Sequence, residues 1–338
     1  MQYGDASQLR FDDKQKKGHY ESYFLRANHP TKKQALWLRY TVFSPANKHE
    51  KAIAELWGAF FNNDSAIAIQ QDIALTECDF SNAKEHLKVS DSFLKLAHQG
   101  VGHAKGEVRD AINNMSWHFQ YKGDQQVLPL LPEKYYQRAL PKAKALVSLP
   151  NALFKGTIIV NGQSIEIDNW RGSENHNWGS QHTDEYAWGQ VCGFDNNPDS
   201  FLECSTARVK LGPIWSPWLN LAVLRVGQEE YRFNGMWQAI KNSGHYQYFN
   251  WDMQCKNKDF TLKIAMHTDR QNVAGLNYRN PPGGSHTCLN SKVASVDVVL
   301  LKGQQVIHKL HSQYGGAFEI LTDDESHGLV IQNILNKH

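Results

Sequence analysis

The sequence predicts an all-β protein, two antiparallel barrels or sandwiches in tandem. Three observations lead there: short apolar runs punctuated by Gly, Asn and Asp, hairpin-sized spacing between those runs, and a length beyond one small module. The chain has 338 residues, whereas a typical domain takes ~100–200. Its 41% hydrophobic and 21% charged residues match a folded globular chain with enough apolar mass for two cores.

The clearest hairpin joins residues 157–160 to 163–167. Its Asn161-Gly162 corner supplies the two positive-φ positions of a type I′ turn, and the flanks alternate. Similar pairs are 115–121 with 125–130 around Lys122-Gly123-Asp124, 221–226 with 230–233 around Gly227-Gln228, and 296–301 with 304–310 around Lys302-Gly303. Consecutive hairpins at this spacing make an antiparallel meander. Residues 55–61 have a helix-compatible composition, but Trp57, Phe60 and Phe61 run into the turn Asn62-Asn63-Asp64 and a β-rich stretch at 66–73, so a strand is expected. Four prolines, Pro129, Pro132, Pro141 and Pro150, mark a covering loop with one helical turn around 133–138. The Gly-rich fragment 100–106 reads as a hairpin tip.

Lys plus Arg number 36 against 34 for Asp plus Glu, a net charge of +2, so no global field favours nucleic acid. Cys78, Cys192, Cys204, Cys255 and Cys288 are widely spaced with no Cys-x-x-Cys pair, which fits buried thiols of a reducing compartment. The first eighteen residues lack the apolar core of a secretory signal. No stretch approaches the ~18 apolar residues of a spanning helix. A soluble, cytoplasmic protein is expected, compatible with peripheral membrane contact. Phosphate-loop, dinucleotide, elbow-serine and His-Glu-x-x-His motifs are absent, which argues against nucleotide cofactors and serine hydrolysis; no cofactor is expected.

The informative stretch is 169–194. It gathers Trp170, Trp178, Trp188, His176, His182, Glu174, Asp184 and Glu185. In an extended strand Glu174, His176 and Trp178 share one face and Asn175 and Asn177 the other. An acid, an imidazole and an indole would then line one wall of an enclosed apolar chamber. Such a wall suits chemistry that develops positive charge on carbon: the acid or imidazole moves a proton, and the indole face attracts a cation. The plainer alternative is a hydrogen-bonded Glu174–His176 pair holding two strands among core tryptophans. His176, His182 and Glu185 do not match a metal-ligand spacing, and His98, His103, His308 and His311 read as surface or strand histidines, so no metal is expected.

The string Trp170-Arg-Gly-Ser-Glu-Asn-His176-Asn-Trp178-Gly179, followed by Tyr186-Ala-Trp188-Gly-Gln, resembles the signature of the AttH-like, carotenoid 1,2-hydratase and tocopherol cyclase-related superfamily. The hairpin before it, and the segment from Pro282 to Lys292, are similar to that group too. The resemblance implies two tandem lipocalin-like domains, here 1–185 and 186–338, with a pocket at or near their junction. It further implies protonation of an isoprenoid alkene, then hydration or ring closure, without a redox cofactor. The functional His and Trp carry over to His176 and Trp178. The hydratases also use a Tyr-x-Asp pair, whose counterpart here is Phe201-Leu-Glu203, so the phenol is missing and Glu203 replaces the acid.

The leading expectation is therefore a cofactor-independent lyase or cyclase acting on a hydrophobic isoprenoid or polyene. His176 with Glu203 or Glu174 would handle the proton. Trp178, Trp170 and Trp188 would shape the pocket, with Tyr186 and Phe201 beside them. The alternatives are a lipocalin-like carrier of an apolar ligand, since a barrel of about eight strands holds one small molecule, and an accessory protein without a pocket.

Overall fold

The computed structural model describes residues 6–12, 17–47, 49–80, 86–97 and 100–335. One sheet is built from His19–Asn28 (β1), Gln34–Ser44 (β2), Ile53–Asn62 (β3), Ser65–Ala74 (β4), Cys78–Asp79 (β5), His86–Val89 (β6), Ser92–Lys95 (β7), Val101–Arg109 (β8), Asn114–Lys122 (β9), Leu128–Pro129 (β10), Ala143–Val160 (β11) and Gln163–Gly179 (β12). Its order is β4-β3-β2-β1-β12-β11-β9-β8-β7-β6-β5, with β10 added on β11. The other sheet follows in the chain. It comprises Glu185–Phe194 (β13), Asn197–Arg208 (β14), Leu219–Val226 (β17), Glu229–Phe233 (β18), Ser243–Gln247 (β19), Asn250–Lys256 (β20), Phe260–His267 (β21), Ala274–Arg279 (β22), Ser285–Lys302 (β23) and Gln305–Thr322 (β24). A separate hairpin of Lys210–Leu211 (β15) and Ile214–Trp215 (β16) stands off the second sheet. The protein is thus all-β, one nearly closed barrel and one curled half-barrel, the first sheet curling until β4 packs against β8.

Burial patterns show which strands meet the partner sheet. β9 alternates, with Met115, Trp117, Phe119 and Tyr121 inward and polar neighbours outward, as a strand with one wet face must. β1 is buried at every position. One of its faces lines the first barrel through Tyr23, Leu25 and Ala27, and the other carries Phe24 against the second sheet. The junction core joins Phe24, Trp37 and Trp57 to Leu276, Tyr278 and Cys288. Polar stitches cross the same surface. Arg26 Nη1 donates to the Gln190 carbonyl at 2.9 Å, and Asn28 Nδ2 donates to the Lys292 carbonyl at 2.6 Å.

The 157–167 hairpin forms as its sequence dictates, with Asn161 at φ 50 and Gly162 at φ 81. The hairpins around Gly227 and Gly303 form too, and 55–61 lies within β3. Three expectations need correction. Residues 115–121 do not pair with 125–130: β9 lies between β8 and β11, and Pro129 and Pro132 cut the second arm to the two residues of β10. Pro150 belongs to β11 and not to a loop; it sits within the register shift between Leu149 and Ala152, where a bulge needs no ladder donor. Residues 101–106 are strand, not a hairpin tip. A Cβ on Gly102 would lie 2.2 Å from Tyr121 Cζ, so the glycine is there to let that ring lie across β8.

The helical turn expected near 133–138 is Glu133–Tyr135. All five cysteines are free thiols. His103 and His311 are exposed on strands and His308 is half-buried, whereas His98 lies outside the described residues. Among the described residues no helix is long and apolar enough to cross a membrane.

Candidate active site

β12 pairs with β1 and β11, and that register fixes the wall predicted from its sequence. His176 lies opposite Tyr23 on one side and Leu146 on the other. Glu174, His176 and Trp178 all turn into the first barrel and are 1%, 0% and 5% exposed. The imidazole stacks on Tyr23 at 4.1 Å and lies 4.8 Å from the Trp178 ring.

The acid that meets His176 is neither Glu174 nor Glu203. It is Glu21 on β1, whose Oε1 lies 2.8 Å from His176 Nε2. Glu174 turns to other donors: Tyr121 Oη at 2.6 Å, Ser148 Oγ at 2.7 Å and the Ala97 amide at 3.0 Å. Glu21 also accepts from the Arg10 amide at 3.0 and 2.9 Å and contacts His19 Nε2 at 3.1 Å. Burial pushes the Glu21 carboxyl up, but the bonds from His176 and His19 outweigh it and lower its pKa to about 2. Burial pushes the His176 imidazole down, with the Glu21 bond opposing.

Hydrogen-bond chemistry assigns the proton. His176 Nδ1 lies 2.5 Å from the Ala6 carbonyl, which only accepts, so Nδ1 carries a hydrogen. Nε2 then faces a carboxylate oxygen, and that contact is favourable only with a proton between the two atoms. Glu21, held as a carboxylate, is placed to accept from His176 Nε2 whenever that nitrogen carries a proton.

The open chamber expected beside this wall is instead filled by residues 6–12. Ala6 and Ser7 are fully buried there, and the Ser7 carbonyl accepts from Tyr23 Oη at 3.0 Å. The Arg10 guanidinium sits 3.7 Å above the Trp178 ring. The segment fits because its backbone and its cation satisfy the hydroxyl, the imidazole, the carboxylate and the indole that the wall presents.

The other candidate residues lie elsewhere. Trp170 is eight residues from Trp178 along β12, roughly 26 Å at a strand's rise, and borders an open depression of about 380 Å³ with His29 and Asp168. Tyr186, Trp188, Phe201 and Glu203 are at the junction of the sheets. Trp188 Nε1 donates to Glu203 Oε1 at 2.8 Å and Gln190 Nε2 donates to Oε2 at 2.9 Å. Burial raises the Glu203 pKa to about 7, against the pull of those two bonds and of Arg26. Gln190 also donates to Asn175 at 2.8 Å, so Glu203 communicates with the face of β12 opposite His176. Phe201 is fully buried with Leu128, Val147 and Cys192. Lys292 Nζ, fully buried, reaches Glu319 at 2.6 Å and lies 5.6 Å from the Trp37 and Trp188 rings. Among the described residues no group of three or more His, Cys, Asp or Glu is placed to hold a metal.

The sequence reading overlooked Glu21, Tyr23 and Arg10. A signal was present for the first two: His19-x-Glu21-x-Tyr23 repeats the acid, imidazole and aromatic alternation of Glu174-x-His176-x-Trp178. Arg10 had none, since it reaches Trp178 from outside any strand.

Fold and wall together define an all-β, double-sheet protein with a buried acid–imidazole–indole cluster in its first barrel. The chain belongs to the tocopherol cyclase-like family, whose profile matches residues 134–320. It is 22% identical to the uncharacterised protein Rv0493c of Mycobacterium tuberculosis over 289 residues, 84% of this chain and 82% of that one. Its fold is similar to that of AttH (NE1406) from Nitrosomonas europaea, with a TM-score of 0.60 and 15% identity over 90% of this chain and 92% of the other. Kievitone hydratase from Nectria haematococca shares it with a TM-score of 0.57 and 10% identity, over 92% of this chain and 90% of the other.

Proposed function

We propose that the protein is an acid–base lyase or cyclase that protonates an alkene of a hydrophobic isoprenoid or polyene and then adds water or closes a ring. The carrying observation is the Arg10 guanidinium seated 3.7 Å above Trp178, next to the 2.8 Å contact between His176 and Glu21. A site that already holds a cation on an indole beside a transferable proton has the two elements that carbocation chemistry needs.

In this reading the His176–Glu21 pair delivers the proton and recovers it at the end. Trp178 stabilises the cation once Arg10 has withdrawn, and Tyr23 keeps the imidazole in its plane by stacking. Glu174 sets the wall's position through Tyr121 and Ser148. Glu203, near its protonation balance at neutral pH, is the second acid, at the junction with Trp188. The family membership and the hydratase fold support the reaction type; the isoprenoid or polyene class is inferred from the apolar, aromatic wall.

The test is incubation of the pure full-length protein with candidate polyenes and isoprenoids, followed by product analysis. His176→Ala and Glu21→Gln are expected to abolish conversion while Phe201→Leu retains it. Identical product profiles for wild type and both wall variants would remove the pair from the mechanism. Ligand binding without turnover in any of them would favour the carrier.

A further inference from the structure

At one end of the second sheet large apolar side chains face water. β15 and β16 make a hairpin that stands off the sheet, with Leu211 opposite Ile214 and Lys210 opposite Trp215 around the Gly212-Pro213 corner. Cross-strand partners share a face, so Leu211 and Ile214 project together, 56% and 63% exposed. The base of the hairpin is fixed. The Ser216 amide donates to the Val209 carbonyl at 2.8 Å, the Val209 amide to Ser216 Oγ at 3.0 Å and the Lys210 amide to Asp184 at 2.8 Å. Arg208, at the end of β14, sets its Cζ 4.2 Å from the Trp215 ring and 4.5 Å from the Trp218 ring.

The short helix Met236–Lys241 adds to the same end. Its Ala239 is buried with Leu221 and Val223 of β17, while Trp237, 81% exposed, and Ile240, one turn on, face outward. Asn242, which caps the helix, donates to the Asn220 carbonyl at 3.0 Å, and Asn220 Nδ2 returns a bond to the Asn242 carbonyl at 2.9 Å. That exchange ties the helix end to the start of β17, just past the hairpin.

The charge around these side chains has one sign. Residues 208–220 and 235–251 contain Arg208, Lys210 and Lys241 and neither Asp nor Glu. Arg208 pairs with Glu185 at 2.6 Å. Lys210 Nζ lies 5.0 Å from the Trp215 ring, and Lys241 is exposed in the last turn of the helix. Lys256, whose amide donates to Asn242 Oδ1 at 2.9 Å, is a third exposed lysine, beside the helix end. Exposed indole and aliphatic groups flanked by ammonium groups suit the interface of a bilayer: the indole sits at headgroup level, the aliphatic groups reach the acyl chains and the cations meet phosphates. Lysine is depleted at protein interfaces, which disfavours a protein partner.

We propose that this end of the second sheet docks the protein on an anionic phospholipid bilayer: Leu211, Ile214, Trp237 and Ile240 enter the interface, and Lys210, Lys241 and Lys256 face the lipid phosphates. The surface is on the other sheet from His176 and is independent of the chemistry there.

Sedimentation of the full chain with vesicles of phosphatidylcholine alone, and of equal parts phosphatidylcholine and phosphatidylglycerol, tests this. Saturable binding to the mixed vesicles is expected, at least ~10-fold tighter than to the neutral ones and weakened by added salt. Ile214→Ser with Trp237→Ser, at exposed positions outside the core, is expected to weaken that binding at least ~10-fold. Lys210→Gln with Lys241→Gln should shrink the preference for anionic vesicles several-fold. Ile112→Ser, 72% exposed at the β8–β9 turn of the other sheet, should bind like the wild type. No binding to either vesicle, equal binding to both, a serine double variant that binds like the wild type, or an equal loss in Ile112→Ser would overturn the assignment. A wild type that self-associates through these residues and ignores vesicles would overturn it too, in favour of a second copy.

Discussion

Two carboxyls a few strands apart are driven in opposite directions by what donates to them. Glu21 receives the Arg10 amide and two histidines, and its pKa falls to about 2; Glu203 receives an indole and an amide in a drier place, and its pKa rises to about 7. The stability consequences differ in sign. Between about pH 4.5 and 7 the folded chain keeps the Glu203 proton while the unfolded chain loses it, so this group costs stability as pH rises, on the order of 3 kcal/mol by pH 8. Urea melts at about pH 5 and pH 8 should therefore show Glu203→Gln losing less stability over that interval than the wild type. An equal slope would place Glu203 in a wetter site. Glu21 contributes stability that is present above about pH 4.5 and is lost as pH falls toward 2. Glu21→Gln should cost roughly 1.5–3 kcal/mol at neutral pH, because His176 and the Arg10 amide lose a charged acceptor, and the deficit should shrink in acid.

At the scale of elements, a glycine on β8 and the segment before β1 decide what the wall looks like. Gly102 lies beneath Tyr121, whose hydroxyl holds Glu174. Gly102→Val is expected to push that ring away and destabilise the fold by at least ~2 kcal/mol through overpacking and a lost buried bond. Gly162→Ala, at a turn with open space around it, should cost about 1 kcal/mol from its positive φ alone. Paired chemical-denaturation midpoints check the ranking. Residues 6–12 act at this scale too. Arg10→Ala removes the cation from Trp178, and a neutral apolar fluorophore such as Nile red should bind roughly 2- to 30-fold more tightly, the range of a cation–π contact. Unchanged affinity would mean that the segment does not stand between ligand and wall.

Across the whole molecule, the two sheets are joined by aromatic packing and by buried charges, so they should unfold together. Within the second sheet, the fully buried Lys292 of β23 sets its Nζ 2.6 Å from Oε1 of Glu319 on β24 and 5.6 Å from the Trp37 ring of the first sheet. Lys292→Met strands a buried carboxylate and should cost ~3–5 kcal/mol, while Lys292→Met with Glu319→Gln should recover much of that, since removing both charges removes the desolvation penalty. Far-ultraviolet circular dichroism and tryptophan fluorescence should report one coincident transition in every variant. Two separated transitions would show that the junction does not couple the sheets.

The β-class, the 157–167 hairpin and the inward face of Glu174, His176 and Trp178 were legible in the sequence because each depends on neighbours a few residues apart: a turn dipeptide, or a period of two. Which acid meets His176 was not, because Glu21 lies 155 positions away and reaches it only through the β1–β12 register. The division of the candidate residues between barrel and junction, the burial of Glu203 without a cation in hydrogen-bond contact, and the seating of Arg10 on Trp178 were likewise decided by how sheets curl and stack. Local periodicity says which face a side chain takes; only the closed sheet says what stands opposite it.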